Sequence, residues 1–85
     1  MTVFSFTLTI DGADVLTDAA QNDLFEAGCG DATFGVTAGV QTAAFDREAA
    51  DFADAVATAI KAIESAVEGA RVIEIHRAHD VAAPT

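Results

Sequence analysis

Residues 3–10 read VFSFTLTI. Phe4, Phe6, Leu8 and Ile10 alternate with Ser5, Thr7 and Thr9, so on an extended backbone the two sets leave on opposite sides. Period-two alternation rich in aromatic and β-branched residues predicts a strand with one apolar face and one wet face. Asp11-Gly12 ends it. A half-buried strand needs a second layer over its apolar side, and the rest of the chain has to supply one.

Two stretches can do so. Leu16, Ala20, Leu24 and Ala27 recur at spacings of three and four, which predicts a helix over 17–27 with one apolar stripe. Thr17 is the expected N-cap, and Gly28 falls where a left-handed residue closes a helix. Ala49, Phe52, Ala53, Val56, Ile60, Ile63 and Val67 predict a second helix. Asp46-Arg47-Glu48 reads as its opening, with Asp46 as N-cap, and Gly69 ends it. Between the helices, Ala32, Phe34 and Val36 alternate, Thr37-Ala38-Gly39 reads as a short turn, and Gln41, Ala43 and Phe45 resume the alternation. That is a hairpin. After the second helix, RVIEIHR (71–77) predicts a last strand, with Ile73 and Ile75 toward the core and Val72, Glu74 and His76 opposite.

The resulting order, β-α-β-β-α-β, is that of the ferredoxin-like fold: an α+β sandwich with a four-stranded antiparallel sheet and two helices on one face. Right-handed crossovers place the first and third strands centrally. Residues 1–77 are expected to form one domain, and 78–85, which lack periodicity, a flexible tail. The sheet face turned from the helices would carry Ser5, Thr7 and Thr9 beside Val72, Glu74 and His76, with Val40, Thr42 and Ala44 from the hairpin. A face mixing Thr, Val and Ala is neither fully wet nor fully apolar. The candidate interaction face is therefore Ser5, Thr7, Thr9, Thr42, Val72, Glu74 and His76.

Composition narrows the partners. Fourteen acidic residues against four basic ones give a net charge of -10. Duplex binding needs clustered Lys and Arg, so direct nucleic-acid binding is not expected, and neither is docking on an anionic membrane. No apolar run approaches the roughly 18 residues of a membrane span, and no basic segment leads into an apolar stretch as a secretory signal would. The single Cys cannot form an intrachain disulfide, which fits a reducing cytoplasm. The acidic surplus is either a solubilising surface or an acidic face for a basic protein.

Chemistry-bearing residues are sparse. Cys29 follows a helix C-terminus, whose partial negative charge opposes a thiolate, so it reads as a packed small residue. His76 and His79 make an H-x-x-H across a strand end and the tail, short of the three or four fixed ligands zinc takes. Asp11, Asp14 and Asp18 have a calcium-loop look but lack the Gly at position six and the closing Glu. No phosphate loop or nucleophile elbow is present. No catalytic, cofactor-binding or metal residue is assigned, and no cofactor is expected.

Three phrases carry a resemblance: LFEAGCGDATFG (24–35), FDREA (45–49) and AIKAIESAVEG (59–69). Together they resemble the N-terminal domain of small actinobacterial helix-turn-helix proteins, described as DNA-binding or antitoxin-like regulators. The likeness spans residues 3 to 75. It implies a regulatory setting and a partner-binding or self-associating role. In that family a helix-turn-helix follows the last strand; only about ten residues follow Ile75, fewer than its two helices need, so DNA binding by this chain is not expected. No functional residue carries over, because Gly28, Cys29 and Asp46 read as cap, packing and N-cap.

Three functions remain as expectations. The first is a non-enzymatic interaction module that self-associates or binds a protein through the open sheet face or an edge strand. The second is an acidic inhibitor that mimics nucleic acid on a basic protein. The third is an enzyme or small-ligand domain formed by two sheets in a dimer, with His76 or Glu74 titrating.

Overall fold

The alternation that begins at Val3 belongs to one strand, β1 (Thr2–Asp11), in a computed structural model that describes residues 2–77. It is followed by α1 (Asp18–Glu26), β2 (Ala32–Thr37), β3 (Val40–Ala49), α2 (Phe52–Ala66) and β4 (Arg71–Arg77). The strands make one antiparallel sheet in the order β2-β3-β1-β4, with β1 and β3 central. This is the expected ferredoxin-like arrangement. The tail expected over 78–85, with His79 inside it, lies outside the described residues.

Antiparallel partners point to the same side of a sheet, so the register sorts the faces. Phe6 lies opposite Phe45, and Leu8 opposite Ala43. The Phe6 and Phe45 rings stack with centroids 5.4 Å apart, and Phe52 of α2 meets Phe6 edge-on at 5.8 Å. Ala55 and Ala59 carry no bulk beyond Cβ, which lets α2 settle onto this layer while Val56 and Ile63 fill the space around it. From α1, Ala20 and Leu24 are buried, whereas Ala27 is exposed.

The caps follow the sequence at α1. Thr17 accepts the Ala20 N–H at 3.1 Å. At the other end the Cys29 N–H donates to Leu24 O and the Gly28 N–H to Phe25 O, with Gly28 at φ +98°. This is a Schellman closure, and Leu24 and Cys29 supply its apolar contact.

Two expectations need correction. The second helix begins later than its sequence suggests: Asp46-Arg47-Glu48 lies in β3, and Asp51 is the N-cap, accepting the Asp54 N–H at 2.8 Å. Arg47 points to the helix side of the sheet, opposite Phe4, where a pattern of apolar residues has no place for a guanidinium. Its charge hides an alternation that continues through Phe45, Arg47 and Ala49. Ala49 thus belongs to a strand, and Ala53 is exposed.

The second correction concerns β4. The β1–β4 register shifts between Thr9 and Ile10, so Glu74 pairs with Thr9 but Val72 with Ile10. Ile73 is the extra residue of this bulge. Val72 therefore lies on the helix side and packs against the core, not on the open face. Ile75, opposite Leu8, is on the helix side as expected, yet it remains 46% exposed, and Ile73 is 58% exposed.

Candidate functional site

On the open face the register sets Ser5 beside Asp46, Thr7 between Ala44 and His76, and Thr9 between Thr42 and Glu74. The strand pleat thus brings six of the seven expected residues together: Ser5, Thr7, Thr9, Thr42, Glu74 and His76. Val72 is the one it removes. Ser5 Oγ donates to Asp46 Oδ1 at 2.6 Å, and His76 Nε2 lies 3.3 Å from Glu74 Oε1. Thr9 is only 7% exposed although no helix among the described residues covers this side. It lies between Thr42 and Glu74 on the two adjacent strands.

Strand β2 adds Thr33, Gly35 and Thr37 to the same side. Phe4, Phe6, Phe34 and Phe45 all turn toward the helices, so none of these rings is available for base stacking on the open face. Charge sits toward the margins: Asp46 and Glu48 from the far end of β3, and Glu74 with His76 on the outer strand. Glu74 and His76 side chains are each 64% exposed, so both stand in water. Chemically this surface offers hydroxyls, small apolar groups and backbone edges.

The densest polar cluster is elsewhere, on the helix side. The Arg47 guanidinium donates through Nε to Asp31 Oδ2 at 2.8 Å and through Nη2 to Asp31 Oδ1 at 2.9 Å. Nη2 also reaches the Gly28 carbonyl at 2.8 Å, Nη1 the Thr58 hydroxyl at 3.2 Å, and the planar group lies 5.0 Å from the Phe45 ring centroid. The hydrogen bond from Arg47 holds the Asp31 carboxyl below its ordinary range, and the same bond raises the pKa of Arg47. Burial pushes the neighbouring Cys29 thiol up, with Arg47 opposing only in part. Cys29 is thus a packed thiol, as its place after a helix C-terminus suggested. The cluster ties the α1–β2 connection to β3 and α2, and its valences are spent on that.

Sequence patterns did not find Arg47 or Asp31, since sixteen positions separate a pair whose only trace is an Arg at an inward strand position. The same holds for Gln41, whose side chain accepts the Val15 N–H at 2.8 Å and donates to Ala13 O at 2.7 Å, pinning the β1–α1 connection. Asp11 and Asp14 border a shallow groove with Leu16, Val36 and Gln41. Asp14 caps the Leu16 N–H at 2.9 Å, which is turn chemistry rather than ligation. Among the described residues no group of three or more His, Cys, Asp or Glu side chains is placed to hold a metal ion, and no helix is long and apolar enough to cross a membrane.

Comparison with protein-family models, curated proteins and solved structures finds no match for this chain.

Proposed function

We propose that this domain is a non-enzymatic protein-interaction module that works through its sheet, by the open face or by an edge strand. The observation that carries the reading is the uncovered sheet itself. Among the described residues helices shield one side only, and the other presents a Thr-rich surface beside an outer strand with two exposed isoleucines. A regulatory, antitoxin-like setting follows from the resemblance of residues 24–35, 45–49 and 59–69. The unpaired, buried Cys29 suits a cytoplasmic protein. The partner is a second copy or another protein, and the acidic balance speaks against nucleic acid.

Sedimentation of the chain alone, together with capture by the tagged domain, tests this. Association is expected, and Lys substitution on the surface in use, at Thr7 or Thr42 for the open face or at Ile75 for the edge, should weaken it at least ten-fold while circular dichroism stays unchanged. A strict monomer whose captured proteins are indifferent to all three substitutions would overturn the reading.

The net charge of -10 favours a second reading, an acidic inhibitor that occupies a basic protein's nucleic-acid site. Its mark is binding that weakens steeply with salt.

A further inference from the structure

We infer that the chain pairs with a second copy of itself through the outer edge of β4, antiparallel and centred on Ile75, giving one continuous eight-stranded sheet. The inference rests on the proposed interaction role and names its occupant, strand and register.

Charges and a bulge on an edge strand ordinarily keep it unpaired. Here both are placed so that they select a register. The bulge ends at Ile73, and Glu74 to Arg77 run in regular pairing with β1. Upstream, the Val72 N–H is already taken by Glu64 Oε2 at 2.9 Å, so it has no hydrogen left for a partner strand. The usable edge is therefore the stretch from Glu74 onward.

Within it, a dyad perpendicular to the sheet at Ile75 sets Ile75 against its own copy on the helix side. On the open side the same dyad sets Glu74 of each copy against His76 of the other. Each chain already holds Glu74 and His76 in contact at 3.3 Å, so four groups would alternate carboxylate, imidazole, carboxylate, imidazole around the axis. A dyad at Glu74 would instead oppose two carboxylates, bring Arg71 against Arg77, and run across the bulge. Like charges directly opposite are unfavourable, so that register is rejected.

The wider charge distribution agrees. Two of the four basic residues, Arg71 and Arg77, lie in β4, which makes it the edge strand that carries cations; Arg47, on the central β3, is bound to Asp31, and the Arg77 guanidinium lies 4.1 Å from the Phe52 ring centroid on the helix side. The other edge, β2 (ATFGVT), has no charge to set a register. Each added strand also closes open backbone valences and covers Ile75, now 46% exposed. The contact is short, so the affinity is expected on the order of micromolar.

Sedimentation equilibrium of the full chain reads this directly, with dimer as the expected species. His76→Glu places four carboxylates at the axis and should weaken the dimer at least ten-fold; His76 is exposed, so the fold is untouched. The exchange Glu74→His with His76→Glu restores opposite partners in this register alone and should recover the dimer. Ile75→Lys should dissociate it. A dimer indifferent to His76→Glu and Ile75→Lys but lost on Thr42→Lys or Val36→Lys overturns β4 pairing and keeps the interaction role through another surface. A monomeric wild type also overturns it, and the capture experiment then decides the wider reading separately.

Discussion

At the scale of single residues, Arg47 does most to hold the domain in register. One guanidinium spans the α1–β2 connection, β3 and α2, and its side chain is only 12% exposed. Removing it leaves the Asp31 carboxylate and the Gly28 carbonyl short of donors, so Arg47→Ala should cost about 2 kcal/mol in urea unfolding at neutral pH. The pH dependence has a definite sign. Asp31 titrates lower in the folded chain than the unfolded value of about 3.9, so its contribution is full above that value and fades as pH falls below it through the folded pKa. The gap between wild type and Arg47→Ala should therefore narrow in acid, and Asp31→Asn should flatten the acid limb of the stability profile. An unchanged gap at pH 3 would show that packing against Phe45, not the ion pair, supplies the effect.

At the scale of elements, legibility followed how closely each segment obeys one period. The first strand is strictly alternating, and Thr17 and Gly28 are caps that act within one turn, so local chemistry decided all three. The β3–α2 junction was misread because an acid, a base and an acid in succession imitate a helix start, while the reason for Arg47 lies across space at Asp31. The bulge at Ile73 left no mark, since RVIEIHR alternates cleanly whichever residue is extra. Six of the seven open-face residues were legible because a pleat propagates from any well-placed strand; Val72 was lost to the one-residue slip. The hairpin carries its own prediction. Its two turn residues, Ala38 and Gly39, both have positive φ, 53° and 80°, as the mirror-image type I′ turn requires. Alanine is strained there, and asparagine tolerates it. Ala38→Asn should stabilise by about 0.5 kcal/mol and raise the melting temperature by roughly 3 °C. Calorimetry showing no gain would mean the strain is relieved elsewhere in the loop.

At the scale of the whole molecule, the net charge of -10 bears on both functional readings, and it does so with opposite signs. Two copies joined through β4 repel each other over their full surfaces, while the Glu74–His76 pairs across the axis are exposed and set register more than strength. Raising salt shortens the screening length from about 10 Å at 0.1 M to about 3 Å at 1 M, which suppresses the body-to-body repulsion and leaves backbone pairing and Ile75 contact in place. Self-association should then tighten several-fold between low and high salt. An acidic mimic on a basic partner behaves in reverse, because the attraction that steers and holds it is the quantity being screened. One measurement separates the two: sedimentation equilibrium of the chain alone across a salt series, beside the same series with a basic protein as probe. Tightening homodimer with salt, and no salt-sensitive capture by the probe, is the expected result. A chain that stays monomeric throughout yet binds the probe tightly only at low salt would instead make the surface charge, and not the sheet edge, the working part of the molecule.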